Sequence, residues 1–140
     1  MMGLDIYIKG MDRKETYHDS YGSFRYYREA VATAYDKDFG ELYKKWYQIP
    51  NYNITIEEET DLLFKINNVN LGGLDIFLAH SDDEGKLKPK DCKLIYNAMK
   101  DLVFEKENLN FRIECIDEIH QIWLKMLKYC YQKRKTLYFC

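Results

Sequence analysis

Gly73-Leu-Asp-Ile-Phe-Leu-Ala-His80-Ser-Asp-Asp-Glu-Gly85-Lys-Leu-Lys-Pro89-Lys-Asp-Cys-Lys-Leu-Ile95 is the stretch on which the reading of the fold turns. Leu74 to Ala79 is a short, nearly continuous apolar run of β-compatible residues, which predicts a buried strand with His80 at its end. Ser81-Asp82-Asp83-Glu84-Gly85 is turn chemistry, because short polar side chains satisfy local backbone donors and glycine takes positive φ at no steric cost. Pro89 suits the first turn of a helix, and Asp91 complements the positive end of its dipole. Strand-end carbonyls, turn carboxylates and an imidazole together form a candidate divalent-cation site, with His80, Asp82, Glu84 and Asp91 as its ligands.

That site does not follow the calcium-loop pattern closely. With Gly85 at loop position six, His80 falls at one, Asp82 at three, Glu84 at five, Leu87 at eight and Asp91 at twelve. The glycine and Leu87 fit. His80 is a poor first ligand, Asp91 is shorter than the usual bidentate Glu, and a strand is expected where a helix should lead in. The plainer reading is a solvated acidic turn, with no cofactor.

Working outward, Met2 to Lys9 alternates apolar Leu4, Ile6 and Ile8 with Asp5, Tyr7 and Lys9, the period-two pattern of a strand with one buried face. It is expected to neighbour the Leu74 strand. Gly10 to Gly22 reads as a loose hairpin or mobile connection, with His18 a solvent-exposed loop residue. Ser23 is a candidate cap for a helix reaching Tyr35, with Phe24, Tyr27, Val31, Ala34 and Tyr35 on its inner face. A second helix spans Phe39 to Tyr47, directing Leu42, Trp46 and Ile49 inward, and Pro50-Asn51-Tyr52-Asn53 breaks it. Thr55 caps a third through Ile66, whose Glu57, Glu58 and Glu59 gather at the dipole's positive end. Asn67 to Gly73 is read as loop.

After the acidic turn, Pro89 to Glu105 is an amphipathic helix with Cys92, Ile95, Met99, Leu102 and Val103 on one stripe. Glu107-Asn108-Leu109-Asn110 interrupts. The longest helix then runs from about Phe111 to Lys133, carrying Ile113, Ile116, His120, Trp123, Leu127 and Cys130, with Cys115, Ile119, Ile122 and Met126 beside them. That wide apolar arc predicts a helix in the core, or one that also meets a partner. Thr136 to Cys140 reads as a last strand. The expected fold is α+β: a small, mainly three-stranded sheet packed with about five helices in a single domain over residues 1–140.

Composition bounds the function. Hydrophobic residues make up 46% and charged residues 31%, with a net charge of −2. Neither disorder nor a strong general attraction to nucleic acid or membrane is expected from that balance. Thirteen tyrosines can stack bases or line an interface, and packing at the core boundary is the plainer use. The four cysteines form no CxxC pair, so a structural zinc site is not expected, and mostly buried free thiols in a cytoplasmic setting are. No apolar run approaches the roughly 18 residues of a membrane span.

Two further places attract chemistry. Arg25 and Arg28, three apart beside Tyr26, can clamp a phosphate or carboxylate through their rigid forks of donors, or form surface ion pairs. His120, on the apolar arc, reads as a neutral core histidine unless it meets His80 beside Asp82, where the three would form a metal or acid/base set. Lys133-Arg134-Lys135 is too short to argue nucleic-acid binding. No serine-hydrolase elbow, zinc-protease helix, Rossmann glycine set or phosphate loop is present.

Met2-Gly-Leu-Asp-Ile-Tyr-Ile8, the Phe24-Arg-Tyr-Tyr-Arg-Glu29 helix start and His80-Ser-Asp-Asp-Glu-Gly85 resemble a loose set of small, uncharacterised phage and prophage proteins. The resemblance covers about a fifth of the chain and implies a mobile-element origin, consistent with the AT-rich bias of many lysines and few prolines; it implies no activity. The first functional expectation is a non-enzymatic binding protein, used in counter-defence, that occupies a host protein or a small nucleotide-like ligand. Arg25, Arg28, Tyr26, His80, Asp82, Asp83 and Glu84 are its candidate contacts. The alternative is a divalent-metal phosphodiester hydrolase built on the 80–85 turn, and a third reading is a homo-oligomer packed through the C-terminal helix.

Overall fold

The computed structural model describes residues 3–48, 55–67, 71–81, 84–105 and 115–140. Its elements are strand β1 (Leu4–Ile8), a 3₁₀ turn (Arg13–Glu15), strand β2 (His18–Asp19), helices α1 (Tyr21–Tyr35), α2 (Lys37–Gln48), α3 (Ile56–Asn67) and α4 (Leu74–Ala79), strand β3 (Lys86–Leu87), helices α5 (Pro89–Met99) and α6 (Ile116–Lys133), and strand β4 (Leu137–Phe139). The fold is α+β, with six helices among the described residues over one antiparallel sheet of order β2-β1-β4-β3. Expected elements at Ile49, Pro50–Asn53 and 106–114 lie outside the described residues, as do the Trp46 side chain and Asp82 and Asp83 of the turn.

The deciding stretch is a helix, not a strand. Leu74, Phe77 and Leu78 are its buried residues, an i, i+3, i+4 set that one helical face collects. An apolar run this short fits either state by periodicity alone, so tertiary contacts decide. Gly73 packs against α5 so closely that a Cβ there would collide with the Leu94 carbonyl. At the other end, the Leu78 carbonyl accepts from Tyr43 Oη at 2.9 Å and from Arg28 Nη1 at 3.3 Å, which satisfies a group that the end of a helix leaves orphaned. The expected neighbour of β1 is therefore missing from the sheet, and β1 pairs with β2 and β4 instead.

Two short strands replace it. Gly85, at φ +101°, turns the chain so that its carbonyl accepts from Phe139 N at 2.9 Å and Lys86–Leu87 adds to β4. His18 is not a loop residue: it pairs with Asp5 across β1–β2, its Nδ1 2.6 Å from Asp5 Oδ1 and its Nε2 2.8 Å from Thr16 Oγ1. That bond, more than any other influence, holds the Asp5 carboxyl below its usual range. Helix α1 begins earlier than expected, with Ser20 as its cap and Ser23 donating its backbone N–H to Ser20 Oγ at 3.1 Å. Thr55 caps α3 as expected, accepting from Glu58 N at 3.1 Å.

Helix α5 also stops early, at Met99, and its helical stripe stops there too. Val103, expected inside, is 75% exposed, while Phe104 turns in against His120 with ring centroids 4.8 Å apart. Helix α6 is the core helix, burying Ile116, His120, Trp123, Met126, Leu127 and Cys130, whereas Ile122 faces out. Trp123 lies among Phe77, Tyr17, Phe24, Tyr27 and Phe139, with ring centroids 5.1 to 6.3 Å away. All four thiols are free. Two are buried rather than most: Cys92 and Cys130 lie inside, Cys115 and Cys140 outside. The Cys92 thiol is pushed up by Cys130 and then by burial, which keeps it protonated and unreactive.

His120 is a satisfied core histidine. Its Nε2 lies 3.0 Å from the Met99 carbonyl, which can only accept, so that nitrogen carries the proton and Nδ1 accepts from Tyr27 Oη at 2.9 Å. Burial holds its pKa below the ordinary 6.5, while Tyr27, raised well above its usual value by burial, stays a donor. As pH falls below 6.5 the unfolded chain therefore takes up a proton that the folded ring refuses, and stability is lost down to the depressed folded value. Urea midpoints at two pH values, one above and one below 6.5, are expected to fall more steeply for the wild type than for His120→Gln, whose amide can still donate to Met99. Parallel slopes in the two proteins would remove His120 from the acid response.

Candidate functional site

The acidic turn is organised around the Ser81 carbonyl. His80 Nδ1 lies 2.7 Å from it and Arg28 Nη2 3.5 Å from it, so Arg28 does lie beside the turn. Arg28 is buried, with its guanidinium carbon 4.2 Å from the Phe24 ring centroid and 5.6 Å from that of Phe77. It holds α1 to the end of α4. The second imidazole nitrogen of His80 is 3.1 Å from the Lys86 carbonyl, and the ring stacks on Phe139 at 4.2 Å. Both carbonyls are acceptors, so a neutral ring bonds one of them and an imidazolium both. In either form His80 closes the turn on its own backbone.

The remaining candidates divide. Glu84 is exposed. Asp91 accepts from the Lys88 backbone N–H at 3.3 Å, which makes it a capping residue of α5. Arg25 pairs with Glu29 at 3.5 Å, whose carboxyl is raised by burial against the pull of Arg25 and Lys44, and Tyr26 is 44% exposed on the same helix. Among the described residues His80 and His120 share no ring partner: His80 meets Phe139 and the turn, His120 meets Tyr27, Phe104 and Met99. Among the described residues, no group of three or more His, Cys, Asp or Glu is placed to hold a metal ion.

Polar and aromatic groups gather elsewhere, on the solvent face of the sheet. Because Leu4, Ile6 and Ile8 point inward, Asp5 and Tyr7 point out, and Lys9 is exposed in the turn that follows; on β4, Leu137 and Phe139 point in and Tyr138 points out. The register sets Tyr7 directly opposite Tyr138 on the two central strands, and Lys86 opposite Tyr138 on the next. The two rings lie 6.2 Å apart at 34°, and are 55% and 41% exposed. Lys9, Arg134, Lys135 and Thr136 join them around an open groove of about 680 Å³. No family model, curated protein or solved structure matches the chain. The chemistry of this face is carried by its own residues.

Electrostatically, the groove is basic where the molecule is not. Among the described residues Lys9, Lys86, Arg134 and Lys135 take part in no ion pair, so their charges are uncommitted. The acid on the same face, Asp5, is shared by His18 at 2.6 Å and Arg13 at 3.6 Å. Arg134 is held in the left-handed region, at φ 56° and ψ 47°, as the C-terminal cap of α6, a place glycine fills most readily. Among the described residues, none of the site candidates singled out from the sequence lies on this face. The strand alternation exposes Tyr7 and Tyr138 separately, but their pairing across the length of the chain belongs to the fold.

Proposed function

We propose that the chain is a non-enzymatic binding protein of phage or mobile-element origin that holds a nucleotide-like ligand on the open face of its sheet. The observation that carries this reading is the Tyr7–Tyr138 pair, side by side and exposed, with uncommitted cations around it. An aromatic face takes a base by stacking, which is sequence-tolerant, and the guanidinium of Arg134 presents a fork that matches phosphate oxygens. The resemblance of the Met2–Ile8, Phe24–Glu29 and His80–Gly85 segments to phage proteins supports the origin, and counter-defence by holding a host component or its nucleotide signal is the use we assign.

The hydrolase alternative has Arg28 beside the Ser81 carbonyl in its favour. Against it, both His80 nitrogens already face backbone carbonyls. Full phosphodiesterase activity in a His80→Ala, Asp82→Ala double variant would eliminate the 80–85 turn as the site of such an activity.

A thermal-unfolding panel tests the main reading, with mono-, di- and cyclic nucleotides and with Mg²⁺, Mn²⁺, Ca²⁺ or EDTA. A ligand at a hundred times its Kd adds about 2.7 kcal/mol, a shift of several degrees. The expected result is a nucleotide shift that persists in EDTA and is lost in Tyr138→Ala. Silence across all nucleotides, with a host protein recovered at stoichiometry instead, would move the function to a protein partner. Arg134→Gly is expected to raise the melting temperature by a few degrees, because the left-handed conformation costs a non-glycine residue roughly 1–2 kcal/mol, partly offset by glycine's greater freedom when unfolded. The same variant is expected to weaken nucleotide binding, and a stabilised variant with full affinity would remove Arg134 from the site.

A further inference from the structure

We infer that the ligand of this face is single-stranded nucleic acid engaged over at least two successive nucleotides, an inference that rests on the nucleotide-binding reading above. The sheet repeats a ring-plus-cation unit. Lys9 follows Tyr7 by two residues, in the turn just past β1, and lines the same groove as that ring, and Lys86 stands directly opposite Tyr138 in the β3–β4 register. Each unit offers a surface for one base and a charge for one phosphate, and Arg134 and Lys135 extend the basic rim at the end of the groove. Asp5 lies toward the other end of β1, which biases the phosphates to the Lys9 side.

The spacing argues for a single strand over a duplex. Stacked bases in a duplex strand rise by about 3.4 Å, so bases seated on rings 6.2 Å apart have left each other's stack. A single strand splays its bases at little cost, whereas a duplex must break pairing and stacking to do so. The openness of the groove argues for a polymer over a free mononucleotide. Pockets for small ligands enclose most of the ligand surface, and this face encloses little of one. A polymer recovers affinity by engaging several such units at once, because the second contact forms at high effective concentration. A net charge of −2 is compatible with this, since the binding charge is local to the groove.

Fluorescence anisotropy with labelled ten-nucleotide dT and rU strands, a duplex of the same length, and unlabelled mononucleotide competitors tests the inference. The expected result is saturable binding of the single strands, with each of Tyr7→Ala and Tyr138→Ala losing roughly 5- to 150-fold, the range that one base–aromatic stack is worth. Affinity is expected to fall with salt on a log–log slope near −3 for four phosphate contacts, and Lys9→Ala is expected to flatten it by about 0.7. Both tyrosines are surface residues, and unchanged melting of the unliganded variants establishes that they fold. A mononucleotide that binds as tightly as the ten-mer would overturn the two-nucleotide inference while leaving the nucleotide-binding reading intact. Equal affinity for the duplex, or full affinity in both tyrosine variants, would overturn it as well; no binding of either strand or mononucleotide would overturn both readings. The ratio of dT to rU affinity then separates DNA from RNA as the source.

Discussion

Arg28→Ala is expected to unfold about 10 °C below the wild type, a loss near 3 kcal/mol for a domain of this size. Arg28 is 2% exposed, and its guanidinium lies over Phe24 and donates to the Leu78 and Ser81 carbonyls, so truncation removes packing and hydrogen bonds together. Cutting a long buried side chain back to alanine costs about 2–5 kcal/mol, and each hydrogen bond from a charged donor contributes roughly 1.5–3. Working in the other direction, the charge no longer has to be held out of water, which recovers part of that loss. The Leu78 carbonyl also keeps a second donor, since Tyr43 still reaches it. Arg28→Met separates the contributions. It retains volume over Phe24 without a charge to desolvate, and is expected to cost about 1 kcal/mol. Urea midpoints of the two variants check this, and an arginine-to-alanine loss below that of the methionine variant would show that Arg28 is not a structural clamp.

The same residue shows why the acidic turn looked like a functional centre from the sequence. Arg28, His80 and Ser81 do converge, as a reading of reactive residue types anticipates, yet they converge on a backbone carbonyl. A strand or helix assignment for Leu74–Ala79 depends on what satisfies its last carbonyls, and those donors come from Arg28 and Tyr43, far away in sequence. Local pattern cannot hold that information. Where the period was long and sustained it was legible: β1 alternates as read, α6 buries its apolar stripe, and α3 starts at its Thr55 cap. Two-residue strands carry no period at all, so β2 and β3 were invisible. The sheet face was half legible, because alternation marks Tyr7 and Tyr138 as outward-facing. What joins them is the antiparallel register of β1 with β4, set by inward Leu4, Ile6, Ile8, Leu137 and Phe139 meeting one core.

At the centre of that core, Trp123→Ala is expected to cost about 3–5 kcal/mol, enough to consume much of the 5–15 kcal/mol that a domain typically has. Five aromatic rings close on the indole, and a rigid cage of rings collapses poorly onto a methyl group, which keeps the cavity contribution large. Trp123→Phe is expected to behave very differently. The indole N–H is buried and meets no acceptor among the described residues, and an unsatisfied buried donor costs about 1–3 kcal/mol. Phenylalanine gives up about two to three methylene equivalents of buried area, at about 0.8 kcal/mol each, and removes that donor. The two effects nearly cancel, so the net change is expected to stay within about 1 kcal/mol. Urea unfolding followed by far-ultraviolet circular dichroism, which does not depend on the tryptophan signal, measures both variants. A phenylalanine variant as unstable as the alanine one would mean that the N–H is satisfied and that the indole outline itself is required. Phe139 touches Trp123 on the inner face of β4, next to Tyr138 on the outer face. A stable Trp123→Phe protein should therefore keep the Tyr7–Tyr138 pair and its binding, whereas the alanine variant loosens the strand that carries half of it.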